Sequence, residues 1–389
     1  MGTENRVKRL AQVPPIGVDA MGAKADAAAS TDILRLENLD TDLRPPAAAL
    51  AATRAAIDDD DANSYLPFLG QAQLRETVIT HLRSLSGHTY DPEAECIITA
   101  GGLNGIMVTL NALVDPGDEV VVTDPTYIGM LNRIRIAGGV PVQVPFRWQE
   151  DGWQLDLDQL RSAVGAGTRA LFIMNPSMPS GAVLSDEAWS LIAELCREHD
   201  LWLIYNAAME RIVYDGRPYR HPAALEGMRE RTLTIGSASK ELRMIGWRVG
   251  WVVGPAAIMR EIGLVSISDV VVPVGIAQAA AAAALNEPAE DVRGAVATWE
   301  ARRDLIVEEL AGLPLNRPAG SWSMLFDAGA LGMSGVEASG RLFEQGQVAA
   351  TPMDNWGEVH GSQYVRLVFS NEPVERLKGI GERFRRSLF

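Results

Sequence analysis

Lysine is scarce in this chain: Lys8, Lys24, Lys240 and Lys378 are the four among 35 basic residues, so nearly every position that takes a cation takes Arg. One of the four stands in "SASKELRMIGWRVGW", Ser237 to Trp251. A primary amine can lose its proton and attack a carbonyl, whereas a guanidinium stays protonated and is a poor nucleophile. Ser237 and Ser239 precede Lys240, and Arg248 follows it in the same stretch. Hydroxyls and a guanidinium gathered near an amine suit a ligand that carries both a phosphate and an aldehyde.

Pyridoxal phosphate is such a molecule, and other loops suit it. In "TAGGLNGI", Gly101 and Gly102 lie between strand-like and helix-like residues, so the N–H groups of Gly102 and Leu103 can face a phosphate at a positive helix end. Taken alone, the pair reads more readily as a turn than as a phosphate site. "DPTYIG" sets Tyr127 just past another strand, where its ring could stack on a flat ligand or simply pack.

These residues need a scaffold that brings loop ends together. Short β-rich runs, "CIITA", "EVVVTD", "PVQVPF", "ALFIM", "LWLIY", "TLTIG" and "RVGWVVG", alternate with helical stretches such as "SDEAWSLIAELCREHD", which Ser185 caps. Apolar strands interleaved with helices predict an α/β fold with a mostly parallel, seven-stranded sheet covered on both faces. Its ligands belong at the carboxyl ends of the strands. In "QAQLRETVITHLRSL" Leu74, Val78, Ile79, Leu82 and Leu85 share one helix face, and His81 falls among the polar residues, as a surface side chain. The Ala-rich run "IAQAAAAAALNEP" reads as a buried helix. The expected organisation is an arm over residues 1–32, mobile or embracing a partner, then 33–58 as part of a small domain, 59–286 as the large domain, and 287–389 as a small α+β C-terminal domain.

Composition narrows the function. A net charge of −15 argues against nucleic acid or an anionic membrane surface as partner. No stretch reaches the roughly 18 uninterrupted apolar residues of a membrane span. Cys96 and Cys196, both beside apolar residues, indicate neither a disulfide framework nor a metal site, and fit a reducing cytoplasm.

Together the motifs resemble the class I/II aminotransferase family, the fold type I pyridoxal-phosphate enzymes. "SASKELRMIGWRVGW" looks like the family's lysine signature, "NPSMPSG" is similar to its Asn-Pro-x-Asn-Pro-Thr-Gly loop, and "DPGDEVVVTDPTY" and "YVRLVFS" match its aromatic and carboxylate-binding segments. The resemblance implies that Lys240 condenses with the cofactor aldehyde. It implies further that Ser237, Arg248 and the Gly102 and Leu103 amides hold the phosphate, that Tyr127 stacks on the ring, and that Arg366 pairs with the substrate α-carboxylate. Tyr65, in "SYLPFLG", matches a tyrosine that reaches the neighbouring subunit's phosphate, which implies a homodimer.

The pattern breaks at four positions. Asn206 and Met209 stand where the family carries an Asp beside the pyridine nitrogen and a Tyr aimed at the phenolic oxygen. Met178 replaces the family's second Asn, the other donor to that oxygen, and Asn175 is either a turn residue or a substitute donor. Glu37 aligns with a Gly that lines the substrate site, where a carboxylate would favour a cationic substrate group. A neutral Asn206 leaves the ring nitrogen without the charge that holds its proton, which weakens the electron sink. The expectation is therefore an enzyme that acts on an amino acid, with or without a second co-substrate, through an imine with the substrate amine and an α-carbanion. Its outcome would be non-transaminating: elimination, replacement, oxidation or carbon–carbon bond formation in specialised metabolism. The alternative is an ordinary amino-acid aminotransferase that forms a 2-oxo acid. A pyridoxal-phosphate-binding regulator is a third reading, disfavoured because the segment before residue 33 is too short for a winged helix.

Overall fold

The computed structural model describes residues 7–28, 30–149 and 152–389. Where the sequence predicts an arm without periodic structure, the chain forms a single 3-10 segment, Lys8–Gln12, and helix α1 (Val18–Ala28). Residues 1–6 and 29 of that arm lie outside the described residues. Only Met21, Gly22 and Ala25 of α1 are buried, a stripe too thin to register as helical periodicity. Met21 and Ala25 pack with Ile33 and Ala349.

Strand β1 (Leu34–Arg35) then lies parallel to the late segment Val348–Ala349. Helix α2 (Ala47–Ile57) starts after Pro46, and α3 (Ala72–Ser86) buries Leu74, Val78, Ile79 and Leu82 before Gly87 ends it in a left-handed turn. His81 is not the surface residue expected. Its side chain is 11% exposed, and its Nε2 lies 3.6 Å from Oε1 of the buried Glu210. A charge in a segment outside the helix draws it inward, which helical spacing alone cannot foretell.

The central sheet is built in chain order from β2 (Cys96–Thr99), β3 (Glu119–Asp124), β4 (Val140–Gln149), β5 (Gly152–Leu155), β6 (Thr168–Met174), β7 (Trp202–Asn206), β8 (Thr232–Ser237) and β9 (Gly250–Val253). In space the order is β2-β9-β8-β7-β6-β3-β4-β5. The pairs β3/β4, β3/β6, β6/β7 and β7/β8 are parallel, while β9 runs antiparallel to β8 and β2. The sheet thus has eight strands where seven were expected. The addition, β5, folds back on the end of β4 as an edge hairpin with Trp153 opposite Trp148, and is too short to stand out in sequence.

Helices cover both faces. After β2 comes α4 (Gly102–Leu113), after β3 comes α5 (Ile128–Ala137), and after β6 comes α7, counting the short α6 (Leu157–Ala163) before it; α7 spans Asp186–Glu198. Ser185 Oγ accepts the Ala188 N–H at 3.1 Å and caps α7, as its sequence suggests. Beyond α8 (Ala256–Asp269), the Ala-rich α9 (Gly275–Leu285) is buried against the α3 side of the sheet. Helix α10 (Ala289–Glu309) leads to a three-stranded antiparallel sheet, β10 (Ser323–Asp327) beside Tyr364–Val368, which also pairs with Thr351–Pro352. A separate apolar cluster around Trp299, Trp322, Phe326, Val365 and Phe384 also takes in Leu34 and Leu36, so the segment after α1 shares its core with the C-terminal third. Among the described residues, no helix is long and apolar enough to cross a membrane.

Candidate active site

The parallel strands and β2 end on one edge of the sheet, and their loops wall a cavity of about 280 Å³. Gly102, Leu103, Tyr127, Met178, Asn206, Ser237, Lys240, Arg248 and Arg366 all line it. Residues from six separate segments thus meet in one chamber.

Lys240 follows the end of β8, and its Nζ donates to the Leu39 carbonyl at 2.6 Å and lies 5.1 Å from the centre of the Trp322 ring. Burial pushes the amine down to about 7, against the pull of Asp40 and with help from Arg366 and Arg248. At neutral pH a substantial share of Lys240 is therefore the neutral amine, the form that attacks carbonyls.

Glycine shapes the wall beside it. Gly101 has φ +87°, and a Cβ there would sit 2.5 Å from Nη2 of Arg248. A Cβ on Gly250 would meet the Gly102 nitrogen at 2.5 Å. Three strand ends can converge so closely because these positions carry no side chain. Arg248 donates to the Ile245 carbonyl at 2.8 Å and to Ser239 Oγ at 3.3 Å, and Ser237 Oγ bonds Ser239 Oγ at 3.0 Å. Opening α4, the Gly102 and Leu103 N–H groups have no carbonyl a turn back within the helix. Two hydroxyls, a guanidinium and a helix N-terminus make a cradle that fits a phosphate.

Arg366, in strand Tyr364–Val368, is 1% exposed and has no carboxylate partner among the described residues. It donates to the Glu37 carbonyl and, at 3.3 Å, to Thr351 Oγ1, its Nε stays unpartnered, and its guanidinium lies 4.9 Å from the Trp356 ring. Burial lowers its pKa to about 10, against Tyr127 and Glu37. A buried guanidinium with spare donors facing a cavity fits an incoming carboxylate. Tyr127 packs edge-on against Trp356 at 5.2 Å, and burial raises its phenol.

The departures from the family pattern sit in the same wall. Asn206, at the end of β7, is buried, and its Oδ1 accepts the Ala208 N–H at 3.2 Å. Met209 Sδ accepts from Ser321 Oγ at 3.1 Å, and Met178 Sδ lies 3.8 Å from Nη1 of Arg366. Asn175 is a turn residue: its Oδ1 accepts the Leu184 N–H at 2.8 Å, on the far side of its loop. The fit to pyridoxal phosphate is thus good at the phosphate and amine ends and leaves a thioether wall along one side.

One expected residue is elsewhere, and one expected at a neighbouring subunit lies outside its own chain's cavity. Glu37 is fully buried and absent from the cavity wall; its carboxylate meets Arg35 at 2.6 Å. The ion pair with Arg35, at the end of β1, holds the carboxylate, and the site receives only the Glu37 carbonyl. Tyr65 is 85% exposed and stands outside the cavity of its own chain. Sequence reading missed Trp322, Trp356 and the strap residues Ile16, Val18 and Asp19. Trp356 is placed by a loop whose Glu358, Val359 and His360 N–H groups all donate to Asp124 at the end of β3, a tie between segments remote in sequence.

Comparison with known proteins agrees with this geometry. A family model described as "Aminotransferase class I and II" matches residues 33–380. An aspartate/prephenate aminotransferase of Thermus thermophilus is 32% identical over 98% of each chain. An arginine–pyruvate transaminase of Pseudomonas aeruginosa is 33% identical over 88% of this chain and 87% of its own. The solved N-succinyldiaminopimelate aminotransferase of Mycobacterium tuberculosis superposes with a TM-score of 0.91 at 31% identity, covering 98% of this chain and 99% of the other.

Proposed function

The chain belongs to the class I and II aminotransferases, pyridoxal-phosphate-dependent transferases, and from that premise we propose that it moves the amino group of an amino acid onto a 2-oxo acid. The observation that carries this reading is Arg366, buried without an anion and lining the same cavity as the Lys240 amine. Arg366 binds the α-carboxylate, which sets the α-carbon beside Lys240. The Lys240 amine, depressed towards neutrality, would take the proton from the α-carbon of the donor amino acid and, in the second half, deliver a proton to the α-carbon of the acceptor. Pyridoxal phosphate supplies an electron sink for the α-carbon and carries the amino group between the two halves of the reaction. Ser237, Arg248 and the Gly102 and Leu103 amides would hold its phosphate, Tyr127 and Asn206 would contact its ring, and Met178 and Met209 would keep water from the wall they line.

A non-transaminating outcome is the second reading, and it rests on Asn206 with the two methionines. The named relatives are aminotransferases along nearly the whole chain and favour amino transfer. We also infer a homodimer, since Tyr65 and Phe68 are exposed aromatics on one short segment, and a reducing, cytoplasmic setting, which the two free buried cysteines support. The deciding experiment supplies the holoenzyme with an amino acid, with and without an acceptor 2-oxo acid. Amino transfer gives one new amino acid per 2-oxo acid formed, in sustained turnover only with the acceptor. Continuous release of ammonia without an acceptor would overturn it.

A further inference from the structure

The amino-transfer reading leaves the substrate side chain open, and the strap over the cavity bears on it. Ile16, just before α1, and Val18 and Asp19, its first two residues, line the chamber. Asp19 is the one acid among the described lining residues, against three cations, Lys240, Arg248 and Arg366. Under the proposed reading all three are engaged: Lys240 with the cofactor aldehyde, Arg248 with the phosphate, Arg366 with the α-carboxylate. Asp19, which is exposed at the cavity, has no such counterpart, and no ion pair holds it among the described residues. The same chamber is lined by hydrocarbon and thioether from Ile16, Val18, Ile106 and Met130. Asp19, Tyr127 and Arg366 all line this one chamber.

We propose that Asp19 selects substrates whose side chain is a methylene chain ending in a cation, as in lysine or ornithine. The apolar wall takes the methylenes and the carboxylate takes the ammonium or guanidinium, while Arg366 holds the other end. A second carboxylate on the substrate would find Asp19 instead of a cation. Here the carboxylate that discriminates is on the strap, in place of Glu37, whose own carboxylate is taken by Arg35.

Asp19 also lies in the first turn of α1, where an acid stabilises the helix. That role would move thermal stability and leave the ranking of amino acids alone, so the test reads ranking. Dissociation constants for L-lysine, L-norleucine and L-glutamate are measured by titrating the absorption of the bound cofactor in the holoenzyme, at low and high salt. Lysine is expected to bind about tenfold more tightly than norleucine at low salt, the size of one partly screened charge-assisted contact, with glutamate weakest. High salt shrinks the gap. Asp19→Asn brings the lysine and norleucine constants together, and Asp19→Lys moves glutamate ahead of lysine. Equal affinities in the wild type, or a gap that survives Asp19→Asn, would overturn the proposal. Because binding is read apart from turnover, a lysine preference without 2-oxo acid formation would sink the amino-transfer reading and leave this one standing. Turnover without the preference would do the reverse.

Discussion

The Nζ of Lys240 donates to the carbonyl of Leu39 at 2.6 Å, joining residues 201 positions apart and closing the cavity between β8 and the segment after β1. The amine sits near 7 there, against 10.5 for an ordinary lysine, chiefly through burial. Between about pH 7 and 10.5 the unfolded chain therefore binds more protons at this site than the folded one, so its contribution makes the apoprotein more stable as pH rises. Lys240→Met removes that dependence. Urea unfolding of apoprotein at pH 7 and pH 10 should show the wild type gaining on the order of 3 kcal/mol relative to the variant. Parallel pH profiles would contradict the depressed amine.

Arg366 offers a kinetic test. Replacing it with Leu removes the cavity's free carboxylate anchor, and loss of a buried charge-assisted pair typically costs about 2–5 kcal/mol. The KM for every amino acid and 2-oxo acid should rise about a hundredfold or more, while absorption of the bound cofactor persists. A fall in kcat alone would assign Arg366 to another step.

Much of this site is legible in the chain because strand ends are local events. Gly102, Tyr127, Asn206, Ser237 and Lys240 each fall within a few residues of a recognisable strand, so the topology delivers them to one edge. What local pattern cannot reveal is pairing across long separations. The Asp124 carboxylate that fixes the Trp356 loop and the Glu210 carboxylate that turns His81 inward are contacts between distant segments. The strap is a third case, since α1 buries too few residues to advertise its place. Glu37 shows the opposite error: its alignment placed the right backbone at the site, but the side chain pairs with Arg35.

Acid stability should report on a cluster behind the site. Burial lowers His221 to about 4, opposed by Glu210 and aided by His81 and His88, and its Nδ1 accepts the Ala223 N–H at 3.2 Å. Its folded pKa lies below the ordinary 6.5, so protonation favours the unfolded chain, and stability falls as pH drops from about 6.5 to 4. Glu210 behaves differently. Burial pushes its carboxyl up, but His81 beside it and the Tyr219 hydroxyl, which donates to it at 2.5 Å, outweigh that and hold it below its ordinary value. Its share of stability is thus lost lower, as pH falls below the usual glutamate range. His221→Asn should flatten the upper part of the acid profile by on the order of 3 kcal/mol, followed by circular dichroism against urea. An unchanged slope between pH 6.5 and 4 would show that His221 is charged in the fold.

Asn206→Asp separates the electronics of the site from its packing. Asn206 is buried and accepts one N–H, from Ala208. An Asp there places a carboxylate in the same apolar wall without a cation in the apoprotein, at a cost of about 1–3 kcal/mol in stability. With pyridoxal phosphate bound, the new carboxylate gains a partner in the ring nitrogen and should raise that nitrogen's pKa by about 1–3 units. Thermal melting should therefore show the variant weaker than wild type as apoprotein, with the deficit largely recovered on adding cofactor. The single-turnover rate of amino transfer should rise, by about tenfold if one pKa unit is expressed in the barrier. If stability recovers with cofactor but the rate stays put, proton loss at the α-carbon is not limited by the electron sink, and Asn206 serves to fit the ring without tuning it.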